Sequence, residues 1–184
     1  MLSIFLKLVT FVIFFRDNRH LKRRSELAKI EVSGRKEGGK LKTIILLSHG
    51  EFAPGLKSAL EMFAGDQAKD VLAFGLRKGE SADQFGQRFA QGMAEVDQST
   101  GLVLLADIIG GSPLTTACNI LAQAGRMEDT IVLGGMNFPM ALNAVLYQDS
   151  LDGPQFVEKV LGEASAALQQ FNFQTDTDDE EDDI

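Results

Sequence analysis

Cysteine and histidine are scarce in this chain of 184 residues. Cys118 is the single cysteine, so no disulfide can form within the chain, and a reducing compartment is the expected environment. His20 and His49 are the only histidines, and neither has a cysteine or a second histidine at the spacing of metal ligands. The sequence therefore predicts neither a metal site nor a cofactor.

Positive charge is scarce in most of the chain. Residues 41–175 carry seven more acidic than basic side chains and contain no basic cluster, so nucleic acid is not an expected partner. Residues 1–40 form an extension with six more basic than acidic side chains, and residues 176–183 carry seven acidic ones. Because like charges repel and little there is apolar, we expect residues 174–184 to form a disordered tail.

The first 15 residues are strongly apolar and precede a basic run at residues 16–24. A membrane-spanning helix needs roughly 20 apolar residues. A secretory signal would have its charge before the apolar run and small residues after it, and neither is present. One interpretation is a membrane anchor with its basic flank inside. The favoured one is translated upstream sequence, in which residues 36–39 (KEGG) encode a ribosome-binding sequence and Leu41 marks the native start.

From residue 41 onward, short apolar runs alternate with segments of helical periodicity. The pattern predicts strands at residues 43–47, 71–74, 102–106 and 130–133. It predicts five helices, which begin near residues 54, 81, 112, 139 and 154. The first three end near residues 65, 96 and 124, and the last one ends near residue 171. We therefore predict an α/β domain over residues 41–173, doubly wound, with a mainly parallel four-stranded sheet and helices on both faces.

Three loops that follow strands contain the chemically informative residues. These loops cover residues 48–53, 107–112 and 134–138. Because parallel strands end at the same edge of a sheet, where α/β proteins bind ligands, we expect the loops to line one site.

His49 and Asp107 each follow one of these predicted strands. A neutral imidazole is a nucleophile at cellular pH. A carboxylate bonded to one ring nitrogen would fix the tautomer and leave the other nitrogen free to react. The alternatives are a structural histidine held by hydrogen bonds and an ordinary loop aspartate.

The sequence of residues 110–113, Gly110-Gly111-Ser112-Pro113, is suited to binding an anion. Backbone amides, the Ser112 hydroxyl and a helix N-terminus would face the same site, with Ser112 as the N-cap and Pro113 as the first helical residue. The alternative is a tight turn with a helix cap. There is no P-loop lysine and no GxGxxG, so nucleotide binding is not indicated.

Three further residues border these loops. Asn137 is expected to cap the next helix rather than to take part in catalysis. Phe52 and Phe138 would either form an apolar rim that docks a partner protein or pack into the core.

Together these segments resemble the mannose-type IIA family of the phosphoenolpyruvate-dependent sugar phosphotransferase system. The similar stretches are TIILLSHGEFAPGLKSALEMFAG at residues 43–65, GLVLLADIIGGSPLTTAC at residues 101–118 and VLGGMNFPMALNAVL at residues 132–146. The resemblance covers roughly residues 41–172.

The resemblance implies that His49 is the phosphorylated residue, that Asp107 hydrogen-bonds it, and that Ser112 with the amides of Gly110 and Gly111 binds the phosphoryl group. It also implies that the phosphocarrier protein HPr is the donor and that a histidine of the IIB component is the acceptor. IIB in turn serves the membrane components IIC and IID. We expect a cytoplasmic homodimer that associates peripherally with the transporter, and IIB as a separate chain.

Two other functions are consistent with the same residues. One is a regulatory module in which phosphorylated His49 reports sugar supply to a partner. The other is a non-enzymatic flavodoxin-like domain that binds a small anion, with His49 as a ligand. The sequence does not identify the sugar, and the alternatives are mannose, fructose, sorbose, N-acetylgalactosamine and glucuronyl sugars.

Overall fold

The computed structural model describes residues 41–172, so the predictions for the N-terminal extension and the acidic tail lie outside the described residues. Within that range, four strands and five α-helices follow one another: β1 Lys42–His49, α1 Phe52–Ala64, β2 Leu72–Leu76, α2 Ala82–Met93, β3 Gly101–Ala106, α3 Ser112–Gln123, β4 Thr130–Gly134, α4 Phe138–Tyr147 and α5 Gly153–Ala166. Short 3₁₀ turns at Gly65–Ala68 and Met127–Asp129 precede β2 and β4. None of these helices is long and apolar enough to cross a membrane.

The four strands form one parallel sheet in the order β2-β1-β3-β4. The two central strands have the longest buried runs, with five consecutive buried residues in β1 and six in β3. Buried parallel strands need apolar side chains on both faces, which is why both read as unbroken apolar runs in the sequence. The predicted parallel sheet is confirmed.

Successive side chains of β1 point to opposite faces of the sheet and enter two separate cores. Ile44 and Leu46 pack with α1, α4 and α5, whereas Ile45 and Leu47 pack with α2 and α3. The second core contains the fully buried rings of Phe85 and Phe89. Helices therefore cover both faces, as predicted.

The chain reverses its winding direction between the two central strands. It leaves β1 for β2 through α1 on one face, then crosses back to β3 through α2 on the other face. From β3 it continues to β4 through α3. In open α/β sheets, ligands bind beyond the carboxyl ends of the two strands at such a reversal. Here those strands are β1, which ends at His49, and β3, which is followed by Asp107.

The predicted capping box opens α2. The Ser81 Oγ accepts a hydrogen bond from the Gln84 amide at 3.2 Å, and the Ser81 amide donates to the Gln84 side-chain oxygen at 3.0 Å. This reciprocal arrangement satisfies two backbone donors at the helix start. The helix itself ends at Met93, three residues before the predicted end.

The last helix is shorter than the sequence predicts. Phe156, Val160 and Ala164 are buried at successive helical turns, but α5 ends at Ala166 rather than near residue 171. Beyond it, Leu168 and Phe171 are 76% and 70% exposed. Their apolar character suggested a continuing helix, whereas the core surface that would bury them ends with Ala164.

Lys42 anchors the edge of the domain opposite His49. Its ammonium donates to the carbonyl oxygens of Gln148 and Leu151 at 3.0 and 2.8 Å and pairs with the Asp152 carboxylate. It also lies 5.7 Å from the centre of the Phe156 ring. A charged group that is only 6% exposed needs such partners. The contacts tie the start of β1 to the α4–α5 loop.

Candidate functional site

His49 is the last residue of β1, and its side chain is 45% exposed. The sequence predicted that this strand ends at residue 47, but the sheet extends to His49, which pairs with Leu76 of β2. The five residues before it are buried. The strand therefore fixes the backbone of His49 while its ring projects into solvent.

Ser48 holds the loop that follows His49. Its side chain is fully buried, and its Oγ accepts a hydrogen bond from the Ala53 amide at 2.8 Å. The formal N-cap of α1 is Glu51, whose side chain makes no capping bond. Ser48 thus satisfies a donor in the first turn of α1. Sequence analysis missed this role, although a serine that ends an apolar strand just before a helix is a usable signal.

The same loop lies directly against β2. The Gly50 amide donates to the Leu76 carbonyl at 2.8 Å. A Cβ atom on Gly75 would lie 1.9 Å from the Gly50 carbonyl oxygen, so no other residue fits at position 75 without a backbone shift. Gly50 itself has a φ of 57°, in the left-handed region that favours glycine.

Asp107 holds both the backbone and the ring of His49. Its Oδ2 accepts the His49 amide at 2.8 Å and lies 3.0 Å from the His49 Nδ1. Its Oδ1 accepts the Ile108 amide at 2.8 Å. Because a carboxylate only accepts, Nδ1 carries the proton in this pair, and this assigns the tautomer. The Nε2 of His49 is then left with a free lone pair.

That free nitrogen faces the start of α3. A Cβ atom built on Gly111 would lie 2.9 Å from the Cε1 of His49 and 3.6 Å from its Nε2. The first intrahelical hydrogen bond runs from the Thr115 amide to the Gly111 carbonyl at 3.0 Å. The amides of Ser112 and Leu114 precede it, so they belong to the group that helix N-termini leave for other acceptors. The partial positive charge there favours an anion beside Nε2.

The predicted N-cap at Ser112 is wrong. Gly111 is the N-cap, Ser112 is the first helical residue, and Pro113 is the second. Because the His49 ring occupies the space where a side chain at position 111 would lie, the cap is a residue without one. Gly110 precedes it with a φ of 77°. The exposed hydroxyl of Ser112 makes no hydrogen bond within residues 41–172, so it is available to a ligand.

Asn137, Phe138 and Phe52, which border the three loops, have different surroundings in the structure. Asn137 caps α4 as predicted, because its Oδ1 accepts the Met140 amide at 2.9 Å. Phe138 is half-buried, and its ring packs edge-to-face on Phe63 with the centroids 4.9 Å apart. Phe138 therefore follows the core-packing alternative. Phe52, at the start of α1, is 45% exposed.

Two exposed isoleucines beside the site were missed by sequence analysis. Ile108 and Ile109 follow Asp107 and are 57% and 66% exposed. Ile109 lies on Gly134 of β4, where a Cβ atom would be 2.2 Å from the isoleucine Cγ1. The available signal was a pair of large apolar residues in a loop, between an aspartate and two glycines.

On the other side of β1, the β2–α2 loop carries basic side chains. Arg77 and Lys78 are exposed. The loop is braced by Glu80, which accepts two hydrogen bonds from Arg88 at 3.1 and 2.9 Å and one from the Arg77 amide at 2.8 Å. The hydrogen bonds from Arg88 and then from the Arg77 amide hold the pKa of the Glu80 carboxyl below its ordinary value.

The rest of the described surface offers little competing chemistry. Among residues 41–172, no three His, Cys, Asp or Glu side chains are grouped so that they could hold a metal ion. An open groove of about 550 Å³ lies between α2 and α3, away from the loops around His49. It is lined by Ala82, Asp83, Gly86, Gln87, Ala90, Thr116, Asn119 and Ile120. The candidate site is therefore the edge where β1 and β3 end.

A family model and two similar characterised sequences all describe components of one kind of system. The model of the family described as "PTS system fructose IIA component" matches residues 43–161. The fructose-specific EIIA component of the phosphotransferase system (PTS) of Bacillus subtilis is 26% identical over 109 residues, which are 59% of this chain and 72% of that protein. The mannose-specific EIIAB component of Escherichia coli K12 is 31% identical over 117 residues, 64% of this chain. The match spans about a third of that longer protein, 34% of its length.

Solved structures agree with the sequence relatives. The crystal structure of a PTS IIA protein associated with the fucose utilization operon of Streptococcus pneumoniae superposes with a TM-score of 0.60 and 27% identity. The superposition covers 72% of this chain and 94% of that protein. Since the family model covers more than half of the sequence, this chain belongs to the mannose-type IIA family of the sugar phosphotransferase system, whose members are phosphotransferase components.

Proposed function

We propose that His49 accepts a phosphoryl group from HPr and passes it to a histidine of a IIB component during sugar uptake. The observation that carries this proposal is the pairing of His49 with Asp107, which leaves Nε2 free and facing the N-terminus of α3. A nucleophile, an orienting carboxylate and an anion-binding helix start thus meet at one place.

The transfer needs positioning and charge stabilisation more than covalent assistance from other side chains. The Nε2 lone pair attacks the phosphorus of the donor phosphohistidine, and a new N–P bond forms. The N–P bond in the donor breaks, and its electron pair returns to the donor imidazole. As the bond forms, positive charge develops on the His49 ring, and the carboxylate of Asp107 at Nδ1 stabilises it.

The start of α3 would hold the phosphoryl oxygens. The amides of the first helical turn and the Ser112 hydroxyl are neutral donors, and the helix dipole adds partial positive charge. Neutral donors stabilise the group without binding it as strongly as a lysine or arginine would. A carrier must release what it binds, so this composition suits onward transfer to IIB by the reverse of the same displacement.

The partners and the assembly extend the same proposal. HPr would be the donor, IIB a separate chain and the acceptor, and the membrane components IIC and IID the transporter that IIB serves. We also propose that the protein is a homodimer in the cytoplasm, associated with the transporter through IIB. Light scattering of the purified full chain measures its mass in solution, and a monomer mass would remove the dimer from the proposal.

Phosphorylation of the full chain tests the central step. The protein is incubated with phosphoenolpyruvate, enzyme I and HPr, and intact mass spectrometry follows the addition of one phosphoryl group. We expect an adduct that is labile in acid, stable in alkali and absent when HPr is omitted. No adduct with active HPr would contradict the proposal. Loss of the adduct on addition of a IIB protein would favour a relay, whereas retention would favour a regulatory role.

Gly111→Ala is expected to lower the rate of this phosphorylation about tenfold, because the new Cβ would push the His49 ring out of line. Gly162→Ala is the matched control, since it lies on the exposed side of α5 with no atom within 4 Å of the new Cβ. Single-turnover rates with phosphorylated HPr measure the effect. Equal rates for the two variants would show that the ring does not depend on the space at position 111.

A further inference from the structure

We propose that Glu80 is a positioning residue for His49, which acts through the peptide units at the end of β2 rather than by contact with the ring. The proposal rests on the proposed function, because it assigns a further residue to the same transfer. The expected effect of Glu80 is on the rate of transfer and not on the affinity for a partner protein.

The peptide units on the two sides of the His49 Cα are each held by a hydrogen bond. The His49 amide, in the unit before the Cα, donates to Asp107 at 2.8 Å. The Gly50 amide, in the unit after the Cα, donates to the Leu76 carbonyl at 2.8 Å. Because peptide units are planar, the two bonds together fix the direction in which the His49 side chain leaves the backbone.

Glu80 holds the peptide unit that accepts the Gly50 amide. The Leu76 carbonyl and the Arg77 amide belong to one planar peptide unit, so a bond that fixes the amide also fixes the carbonyl. The Glu80 Oε2 accepts the Arg77 amide at 2.8 Å, and the Glu80 amide donates to the Arg77 carbonyl at 3.0 Å. Two hydrogen bonds and one rigid unit therefore connect Glu80 to the residue after His49.

Arg88 of α2 holds the preceding peptide unit and the Glu80 carboxylate together. Its Nη2 donates to the Gly75 carbonyl at 2.8 Å and to Glu80 Oε2 at 2.9 Å, and its Nε donates to Glu80 Oε1 at 3.1 Å. The guanidinium lies 5.5 Å from the centre of the Phe85 ring, which is fully buried. The end of β2 is therefore attached to a helix whose own position is fixed by the core.

The loop after His49 is in direct contact with the end of β2. A Cβ atom on Gly75 would lie 1.9 Å from the Gly50 carbonyl oxygen. A rotation of the peptide unit between Leu76 and Arg77 would therefore displace Gly50 and, with it, the backbone of His49. Reacting atoms must be closely aligned, so a small displacement of the nucleophile lowers the rate of transfer strongly.

The Glu80–Arg88 ion pair has the properties that such a role needs. The side chains of Glu80 and Arg88 are only 11% and 28% exposed, unlike those of most surface ion pairs. The hydrogen bonds from Arg88 and from the Arg77 amide keep the pKa of the Glu80 carboxyl below its ordinary value. The carboxylate is therefore ionised, and the pair intact, throughout the neutral pH range in which transfer is measured.

Glu80→Gln tests this role, because glutamine has nearly the same shape but no charge and only one acceptor oxygen. The matched control is Glu163→Gln, in which the same change breaks an ion pair with Lys159 within α5. Arg88→Met is a second variant, which removes the guanidinium and keeps an unbranched apolar side chain near Phe85. Thermal melts check that all three variants are folded.

Three quantities are measured for each variant. Single-turnover reactions over a range of concentrations of phosphorylated HPr separate the maximal rate from the KM. Modification by the small molecule phosphoramidate reports the reactivity of His49 without a protein donor. Hydrogen exchange of the Gly50 amide, followed by NMR, reports the hydrogen bond to Leu76.

We expect Glu80→Gln and Arg88→Met to lower the maximal rate about tenfold, with little change in the KM for HPr. Modification by phosphoramidate should slow by a similar factor, and exchange of the Gly50 amide should become about tenfold faster. Glu163→Gln should match the wild type in all three quantities. Wild-type maximal rates in both Glu80→Gln and Arg88→Met would overturn the positioning role, even if the KM rose, and would leave the proposed function intact.

The remaining outcomes separate the positioning role from the function on which it rests. If phosphoramidate modifies the wild type but HPr does not, the proposed function fails, and slower modification of Glu80→Gln would still support the positioning role. If phosphoramidate modifies folded Glu80→Gln as fast as the wild type, the positioning role fails whatever the donor. An equal loss of rate in Glu163→Gln would also overturn it, because lost stability would then explain the effect.

Discussion

Phosphorylation of the full chain by HPr is expected to fall to background in His49→Gln and to remain at the wild-type rate in His20→Gln. These are the two histidines of the chain, so the pair of variants assigns an acid-labile adduct to one of them. Glutamine keeps a polar side chain at position 49 but has no nitrogen lone pair that can attack phosphorus. Intact mass after a fixed incubation is the measurement.

The His49→Gln variant should fold normally, which makes its loss of activity interpretable. The His49 side chain is 45% exposed, so its replacement opens no cavity in either core. Circular dichroism and a thermal melt that match the wild type would confirm this. Persistent phosphorylation of His49→Gln, with loss in His20→Gln, would move the reactive residue into the N-terminal extension and contradict the proposed site.

Asp107→Asn is expected to slow phosphorylation of His49 by roughly a hundredfold or more, in the range seen when an orienting carboxylate is removed from a catalytic histidine. The two carboxylate oxygens of Asp107 accept three N–H groups, two from His49 and one from Ile108. An asparagine amide has only one acceptor oxygen, and its NH₂ would face at least one of these donors. It also carries no charge to stabilise the ring as the N–P bond forms.

The kinetic parameters of Asp107→Asn distinguish a role of Asp107 in orienting His49 from a role in binding HPr. We expect the maximal rate of Asp107→Asn to fall while its KM for HPr changes little, because the Asp107 carboxylate is only 17% exposed and is bonded to Nδ1 of the His49 ring. Rapid-quench measurements with phosphorylated HPr over a range of concentrations resolve the two parameters. A thermal melt controls for folding. A maximal rate equal to that of the wild type would refute the orienting role.

These two variants also bear on the alternatives to a phosphoryl relay. A flavodoxin-like domain that only binds an anion would form no phosphohistidine, with or without Asp107. A regulatory module would form one and keep it in the presence of IIB. The proposed relay alone combines a fast, Asp107-dependent phosphorylation with loss of the phosphoryl group to an acceptor.

The sequence by itself determined the parallel sheet, the order of strands and helices along the chain, and the meeting of His49 with Asp107. Strands β1 and β3 are buried on both faces, and such strands must consist of consecutive apolar residues, which are visible without coordinates. The capping box of α2 is equally local, since both of its partners lie within four residues. Parallel strands end at a common edge, so a histidine and an aspartate after two of them predicted one site.

Only the tertiary structure decided which small groups meet between loops that are distant in the chain. Gly111 is the N-cap of α3 at a position where a side chain would collide with the His49 ring. The Ile109 side chain lies against the backbone of Gly134, where a side chain on residue 134 would displace it. For Phe138 the sequence left an apolar rim and core packing open, and the structure packs its ring on Phe63 of α1. The early end of α5 reflects where the core surface stops. Spacing along a sequence encodes the periodicity of one element, whereas these contacts depend on distances between elements, which packing alone sets.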